Sequence, residues 1–140
     1  MNRPLLARIA ATLALITCLG HTIGTFMQVP PEQAAMHKAI AVMKSTLVPM
    51  PVGSPRSYMQ ILDGNNLCTS LLLLLCGTQL LAVAGLPASP ATNRIIAITA
   101  TALAGIAVIS ALYFFPIPAA LTGLASILGF LASTRRHPPL

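Results

Sequence analysis

The chain has 140 residues, the length of one small domain, yet only 7 % of them are charged and 56 % are hydrophobic. A soluble domain is about one quarter charged, so these few charges cannot cover a water-soluble globule of this size. The uncovered apolar surface would aggregate in water. This excludes an ordinary soluble protein and predicts a single integral membrane domain over residues 1–140.

The basic residues give the chain a net charge of +6, against Glu32 and Asp63 as its only acids. They are scattered at the ends of apolar stretches, whereas nucleic-acid binding requires a clustered basic face. Charges in such positions are typical of the membrane boundary, where they contact anionic headgroups. We therefore expect the lipid bilayer as a partner and no nucleic acid.

Residues 5–26 form the first long apolar stretch, interrupted only by Arg8. As a helix this stretch would be about 33 Å long, which is enough to cross a bilayer. A secretory signal peptide also has a basic start and an apolar core, but no small-x-small cleavage signal follows here. The stretch is therefore predicted to be the first membrane span.

Residues 27–57 form the one long connection. Pro30-Pro31-Glu32-Gln33 is typical of a helix start, with proline in the first position and an acid in the first turn. Four apolar residues then recur at helical spacing: Met36, Ile40, Met43 and Leu47. The pattern predicts a short amphipathic helix at about 31–47 that lies in the membrane interface and ends before the proline-rich stretch 49–55.

Three further apolar stretches predict spans at about 58–86, 95–115 and 117–134. Pro116-Ile117-Pro118 leaves room only for a tight turn, so the last two spans must be antiparallel. Because hydrocarbon offers no water, each span must satisfy its own backbone hydrogen bonds, which helices do. The expected fold is all-α, a membrane-embedded antiparallel four-helix bundle with a short amphipathic interfacial helix between spans one and two.

Small residues at four-residue spacing predict faces on which these helices approach closely. The faces are Gly20 and Gly24 in the first span, Ala97, Thr101 and Gly105 in the third, and Ala125, Gly129 and Ser133 in the fourth.

The orientation in the membrane follows from the excess of Lys and Arg on cytoplasmic loops. With both termini inside, the inner side carries five basic residues: Arg3, Arg8, Arg94, Arg135 and Arg136. The outer side then carries three: Lys38, Lys44 and Arg56. This bias predicts an inner-membrane protein with both termini in the cytoplasm.

Polar residues inside membrane helices are costly, so they are the candidates for function. The predicted topology places five of them near the outer face: His21, Thr25, Asp63, Asn66 and Tyr113. We interpret these five residues as the lining of one polar pocket in the outer leaflet, in which Asp63 hydrogen-bonds a ring nitrogen of His21.

Structural roles would explain the same residues. His21 would then bond only a carbonyl or a Thr hydroxyl of another helix, and Asp63 to Asn66 would be a helix start exposed to headgroups. Tyr113 would anchor its span at the interface. Gln79 is interpreted as an interhelical hydrogen-bonding residue.

The sequence lacks the patterns of several kinds of catalytic and cofactor site. It has no paired carboxylates, no glycine-rich phosphate loop and no G-x-S-x-G motif. Cys18, Cys68 and Cys76 lie in apolar runs without a C-x-x-C pair, so we interpret them as packing residues. We predict no catalytic residue, no metal and no cofactor.

Gly20-His21-Thr22-Ile23-Gly24-Thr25-Phe26, which closes the first span, resembles the G-H-T-x-G stretch of a family of small uncharacterised bacterial membrane proteins. Arg56-Ser57-Tyr58 before a Gly-containing polar segment is similar as well, although this chain lacks the family's aromatic- and Gly-rich stretch after the tyrosine. The resemblance implies four spans and a bacterial inner-membrane location, and it implies no activity.

Two functions are compatible with these features. The first is a non-enzymatic membrane protein that binds a lipid or small amphiphile, or that assembles with a membrane partner or as a homo-oligomer. The alternative is an intramembrane enzyme or proton-coupled transporter that uses His21 and Asp63.

Overall fold

The computed structural model describes residues 2–114 and 116–135, and within them the protein is all-α. The five helices of this part are α1 (Arg3–Phe26), α2 (Ala34–Ser45), α3 (Tyr58–Ala84), α4 (Pro90–Tyr113) and α5 (Pro116–Thr134). Two short strands, β1 (Leu47–Val48) and β2 (Arg56–Ser57), pair antiparallel between α2 and α3. Residue 115, the predicted end of the third span, and Arg136 lie outside the described residues.

Four of these helices are long and apolar enough to cross a membrane: α1, α3, α4 and α5. The prediction of four spans with a short helix between the first two is therefore confirmed. The protein has the make-up of a multi-pass membrane protein.

The third span begins five residues earlier than predicted, at Pro90 rather than at 95. Ser89 caps α4, because its side chain accepts from the Thr92 backbone N–H while the Thr92 hydroxyl accepts from the Ser89 N–H. Proline is compatible with the first position of a helix, where its missing N–H would have no helical partner. Pro90 therefore starts the helix instead of belonging to the connection.

The short helix between the first two spans is shorter than predicted, Ala34–Ser45 against 31–47. A turn precedes it, in which the Gln33 N–H donates to the carbonyl of Pro30 over 3.0 Å. Leu47 leaves the helical stripe and enters β1, where it pairs with Ser57 of β2. None of the residues of α2 is buried.

The contacts group the chain into two compact units. One, the bundle unit, comprises Met1–Leu19 and Leu71–Leu140, and the other, the loop unit, comprises Gly20–Ser70. Helices α1 and α3 each contribute to both.

The bundle unit contains the buried hydrophobic core, in which parts of all four long helices pack together. The core is rich in alanine, with Ala7, Ala10, Ala11 and Ala14 on α1. Small side chains let membrane helices approach closely. Because lipid is as apolar as the helices, their association depends on van der Waals contact and not on the hydrophobic effect.

Close approach is evident at two glycines of the bundle unit. A Cβ at Gly129 would lie 2.9 Å from the Cβ of Ala100, and a Cβ at Gly77 would lie 2.6 Å from Cγ of Leu15. The predicted face around Gly129 is thus a helix contact. At Gly20, Gly24 and Gly105 a Cβ would meet nothing within 4 Å, so the predicted close approach does not occur at these three glycines.

The loop unit is organised by the β1–β2 pair, which brings the end of α2 to the start of α3. The Tyr58 N–H donates to the Thr46 carbonyl over 2.9 Å beside this pair. Gly53, between the strands, has a φ of +90°, a conformation that glycine adopts without steric cost. The proline-rich stretch therefore forms a closed turn between the two strands.

Candidate functional site

His21 is held to α3 within the loop unit. Its Nε2 atom lies 3.2 Å from the backbone carbonyl oxygen of Asn66. A carbonyl oxygen only accepts, so the ring nitrogen donates and Nε2 carries the proton in this contact. This contact is of the kind that the structural alternative expects, in which His21 bonds a carbonyl of another helix.

Hydroxyl groups accompany this histidine on α1. Thr22 donates to the hydroxyl of Ser70 over 3.0 Å, which is a second link to α3 within the loop unit. Thr25 donates to the carbonyl of His21 over 2.9 Å, inside its own helix. The end of α1 is therefore joined to α3 by polar side chains, as expected where no water is at hand to satisfy them.

Asp63 is half-buried in the second turn of α3. Across the part of the chain that the structure describes, Asp63 and His21 share no hydrogen bond and no ion pair; the imidazole bonds the Asn66 backbone instead. Asn66 itself is half-buried. The structure thus brings His21 and Asn66 together through a main-chain atom, and pairing of His21 with Asp63 stays a prediction.

Tyr113 is the last residue of α4 and belongs to the bundle unit, where it is 77 % exposed. The other four residues of the predicted polar pocket belong to the loop unit. A tyrosine side chain this exposed at the end of a candidate span fits the alternative role of an interfacial anchor.

The loop unit contains an open surface cavity that the sequence did not indicate, and three of its four lining residues are exposed. It has a volume of about 350 Å³ and is lined by Met50, Arg56, Gln60 and Ile61. Two side chains thus bring apolar surface, one brings an amide and one brings a permanent positive charge. Arg56, Gln60 and Ile61 are close in sequence, whereas Met50 follows β1 and reaches them where β1 pairs with β2, which no local sequence pattern shows.

Gln60 is fixed at this cavity by a reciprocal contact at the start of α3. Its side-chain oxygen accepts from the Ser57 N–H over 2.9 Å, and the Ser57 hydroxyl accepts from the Gln60 N–H over 3.2 Å. The amide oxygen is thereby used within the protein. The amide N–H groups and the Arg56 guanidinium are the donors left for a bound molecule.

Metal binding requires several ligands of the right type at one place. Among residues 2–114 and 116–135, no three His, Cys, Asp or Glu side chains lie close enough together to hold a metal ion.

Comparison of the chain with protein-family models, with curated proteins and with solved structures finds no match. No family is identified for it. The resemblance carried by the Gly20–Phe26 stretch stays a prediction.

Proposed function

We propose that this protein is a non-enzymatic, multi-pass protein of the cell inner membrane that binds an anionic lipid or small amphiphile. The loop unit is the binding region, and it faces the outer leaflet with both termini in the cytoplasm. The observation that carries the proposal is the cavity of about 350 Å³ between the β2 strand and the start of α3.

The size and lining of this cavity support an amphiphilic ligand. Small-molecule sites have volumes of roughly 300–1,000 Å³ and combine apolar walls with few polar groups. Met50 and Ile61 provide apolar surface, and Arg56 provides a charged fork suited to carboxylate or phosphate. A molecule with an apolar tail and an anionic head satisfies both parts.

The polar residues of α3 extend the same region along the helix. Asp63 follows Gln60 by three residues, so the two are neighbours on the surface of α3. Asn66 follows three residues later and carries the carbonyl that His21 contacts. His21, Thr25, Asp63 and Asn66 remain the proposed polar pocket of the outer leaflet, and Tyr113 is proposed as an interfacial anchor.

Binding is tested with the full chain purified in an uncharged detergent and titrated with dansyl-undecanoic acid and with its uncharged methyl ester. The wild type is expected to bind the acid roughly fivefold more tightly than the ester, equivalent to about 1 kcal/mol from Arg56. Arg56→Gln should remove this preference. Ile61→Trp should weaken both probes by filling the cavity.

Lys44→Gln is the matched control, because it removes one charge from an exposed residue of α2 that does not line the cavity. Its acid preference should equal that of the wild type. Equal binding of acid and ester by the wild type, or an unchanged preference in Arg56→Gln, would contradict the proposal.

A further inference from the structure

Arg3, the first residue of α1, is buried: only 6 % of its surface is exposed. Its Nη1 donates to the carbonyl of Leu86 over 2.9 Å, and its Nε donates to the side-chain oxygen of Asn93 over 3.2 Å. Its Nη2 is shielded from solvent and has no hydrogen-bond partner within residues 2–114 and 116–135. All three residues belong to the bundle unit.

These contacts satisfy hydrogen bonds, but among the described residues no acidic group pairs with Arg3. Both acceptors are neutral amide oxygens, and a buried cation without a counter-charge is strongly disfavoured. Neither acidic side chain of the sequence, Glu32 or Asp63, is a hydrogen-bond partner of Arg3. A water molecule beside Nη2 would complete its hydrogen bonding without supplying negative charge.

The helix ends around Arg3 carry partial charges of both signs: positive at the N-termini of α1 and α4, and negative at the C-terminus of α3, which ends two residues before Leu86. The guanidinium joins the N-terminus of α1 to the first turn of α4, and helix N-termini carry partial positive charge. Arg94 follows Asn93 directly and is exposed. Arg94 thus adds a full positive charge next to Asn93, the residue that Arg3 contacts.

We propose that Arg3 is the central ligand of a phosphate-binding site at this end of the bundle unit, and that the phosphate belongs to an anionic phospholipid. Arg3 begins a candidate span, so it lies at the depth of headgroup phosphates. Guanidinium matches phosphate geometry through two adjacent N–H groups, and basic pockets between membrane helices bind anionic headgroups. The unpartnered Nη2 supplies a donor for this contact.

The phosphate reaches Nη2 through a local opening, since this atom is covered in the structure. Arg3 is the first residue of its helix, and helix ends open at a small fraction of the global unfolding free energy. Lipid binding would therefore pair the shielded guanidinium of Arg3 with a phosphate.

The test measures how anionic lipid changes the melting temperature of the full chain in an uncharged detergent. Phosphatidylglycerol is expected to raise it by several degrees, and phosphatidylcholine with the same acyl chains is not. Arg3→Gln should lose most of this rise. Arg8→Gln, which removes one exposed charge from the same helix, should keep it.

Asn93→Asp tests the site with Arg3 in place. The substitution replaces the amide oxygen that accepts from Arg3 Nε with a carboxylate oxygen, so the protein itself supplies a counter-charge to Arg3. We expect a higher melting temperature without lipid and a smaller rise with phosphatidylglycerol. This variant keeps the proposal testable if Arg3→Gln fails to fold.

Inorganic phosphate separates the two possible sources of the anion. A rise with phosphate alone that is lost in Arg3→Gln would keep the site and assign it to free phosphate. A phosphatidylglycerol effect that persists in both Arg3→Gln and Asn93→Asp would overturn the proposal. If that effect were lost instead in Arg56→Gln, the anionic lipid would belong to the loop-unit cavity.

Discussion

Gly129 of α5 lies against Ala100 of α4 with no room for a side chain. A Cβ at Gly129 would lie 2.9 Å from the Cβ of Ala100 and 3.6 Å from its Cα. One turn before Gly129, the Ser126 hydroxyl donates to the Ala100 carbonyl over 2.8 Å. The backbones of the two helices are thus held close by one missing Cβ and one hydrogen bond.

Gly129→Ala is expected to destabilise the protein. The added methyl group cannot be accommodated by a flexible neighbour, because Ala100 has no side-chain torsion to move it away. Overpacking of this kind costs about 1–3 kcal/mol. The measurement is the free energy of unfolding in detergent, obtained by titration with sodium dodecyl sulfate.

Two further variants show whether the cost arises from this contact. Gly105→Ala on α4 adds the same methyl group where it would meet nothing within 4 Å, so it should be neutral or slightly stabilising. In Ala100→Gly/Gly129→Ala the clash disappears, so the losses should be clearly less than additive. Strict additivity would show that the contact does not limit the approach of the helices.

Thr99→Val is expected to weaken the packing of α3 against α4. The Thr99 hydroxyl is shared between Oε1 of Gln79, at 2.8 Å, and the Ile95 carbonyl of its own helix, at 2.9 Å; the first contact confirms Gln79 as an interhelical hydrogen-bonding residue. Such bonds between membrane helices contribute about 0.6 kcal/mol on average and about 1.7 kcal/mol at most. The loss should lie in this range, measured by the same titration.

Thr101→Val is the matched control for Thr99→Val. Thr101 is exposed on the same helix, and in the described part of the chain its hydroxyl bonds the carbonyl of Ala97 within α4 and no other group. The same change of side chain therefore removes no interhelical contact there. Equal effects at residues 99 and 101 would show that the bond to Gln79 contributes nothing measurable.

The four spans could be predicted from the sequence because hydrocarbon imposes a simple requirement: long apolar stretches must be helical. The start of α4 also has a local cause, the Ser89 cap followed by Pro90, although both residues lie between the predicted spans 58–86 and 95–115. Properties that one segment determines by itself can thus be predicted from that segment.

Contacts between distant segments could not be predicted in the same way. Arg3 is interpreted from the sequence as a boundary charge. In the structure it donates to acceptors on Leu86 and Asn93, which lie 83 and 90 residues further along the chain. The cavity at Arg56 likewise depends on the pairing of Val48 with Arg56. No helical or strand periodicity encodes either contact.

His21 and Asp63 are expected to contribute independently to stability. The Nε2 of His21 bonds the Asn66 carbonyl, and no hydrogen bond joins the two side chains among the described residues. In a double-mutant cycle with His21→Ala and Asp63→Ala, the losses should therefore add to within about 0.5 kcal/mol. A larger coupling energy would establish the predicted pairing of the two residues and revive a proton-handling role.

The proposed orientation predicts that residue 52 is reachable from outside the cell. Val52 lies in the turn between β1 and β2 and is 90 % exposed, so a cysteine there would not disturb packing. In a variant without Cys18, Cys68 and Cys76, Val52→Cys should react with a membrane-impermeant maleimide in intact spheroplasts.

A cysteine at residue 86 tests the cytoplasmic side. In the chain, the candidate span α3 separates Val52 from Leu86, and Leu86 is exposed just after α3 ends. Leu86→Cys should react with the impermeant maleimide only after the membrane is permeabilised. The physical basis is the larger number of basic residues near helix ends on that side, which resist translocation. The reverse pattern would contradict the proposed orientation.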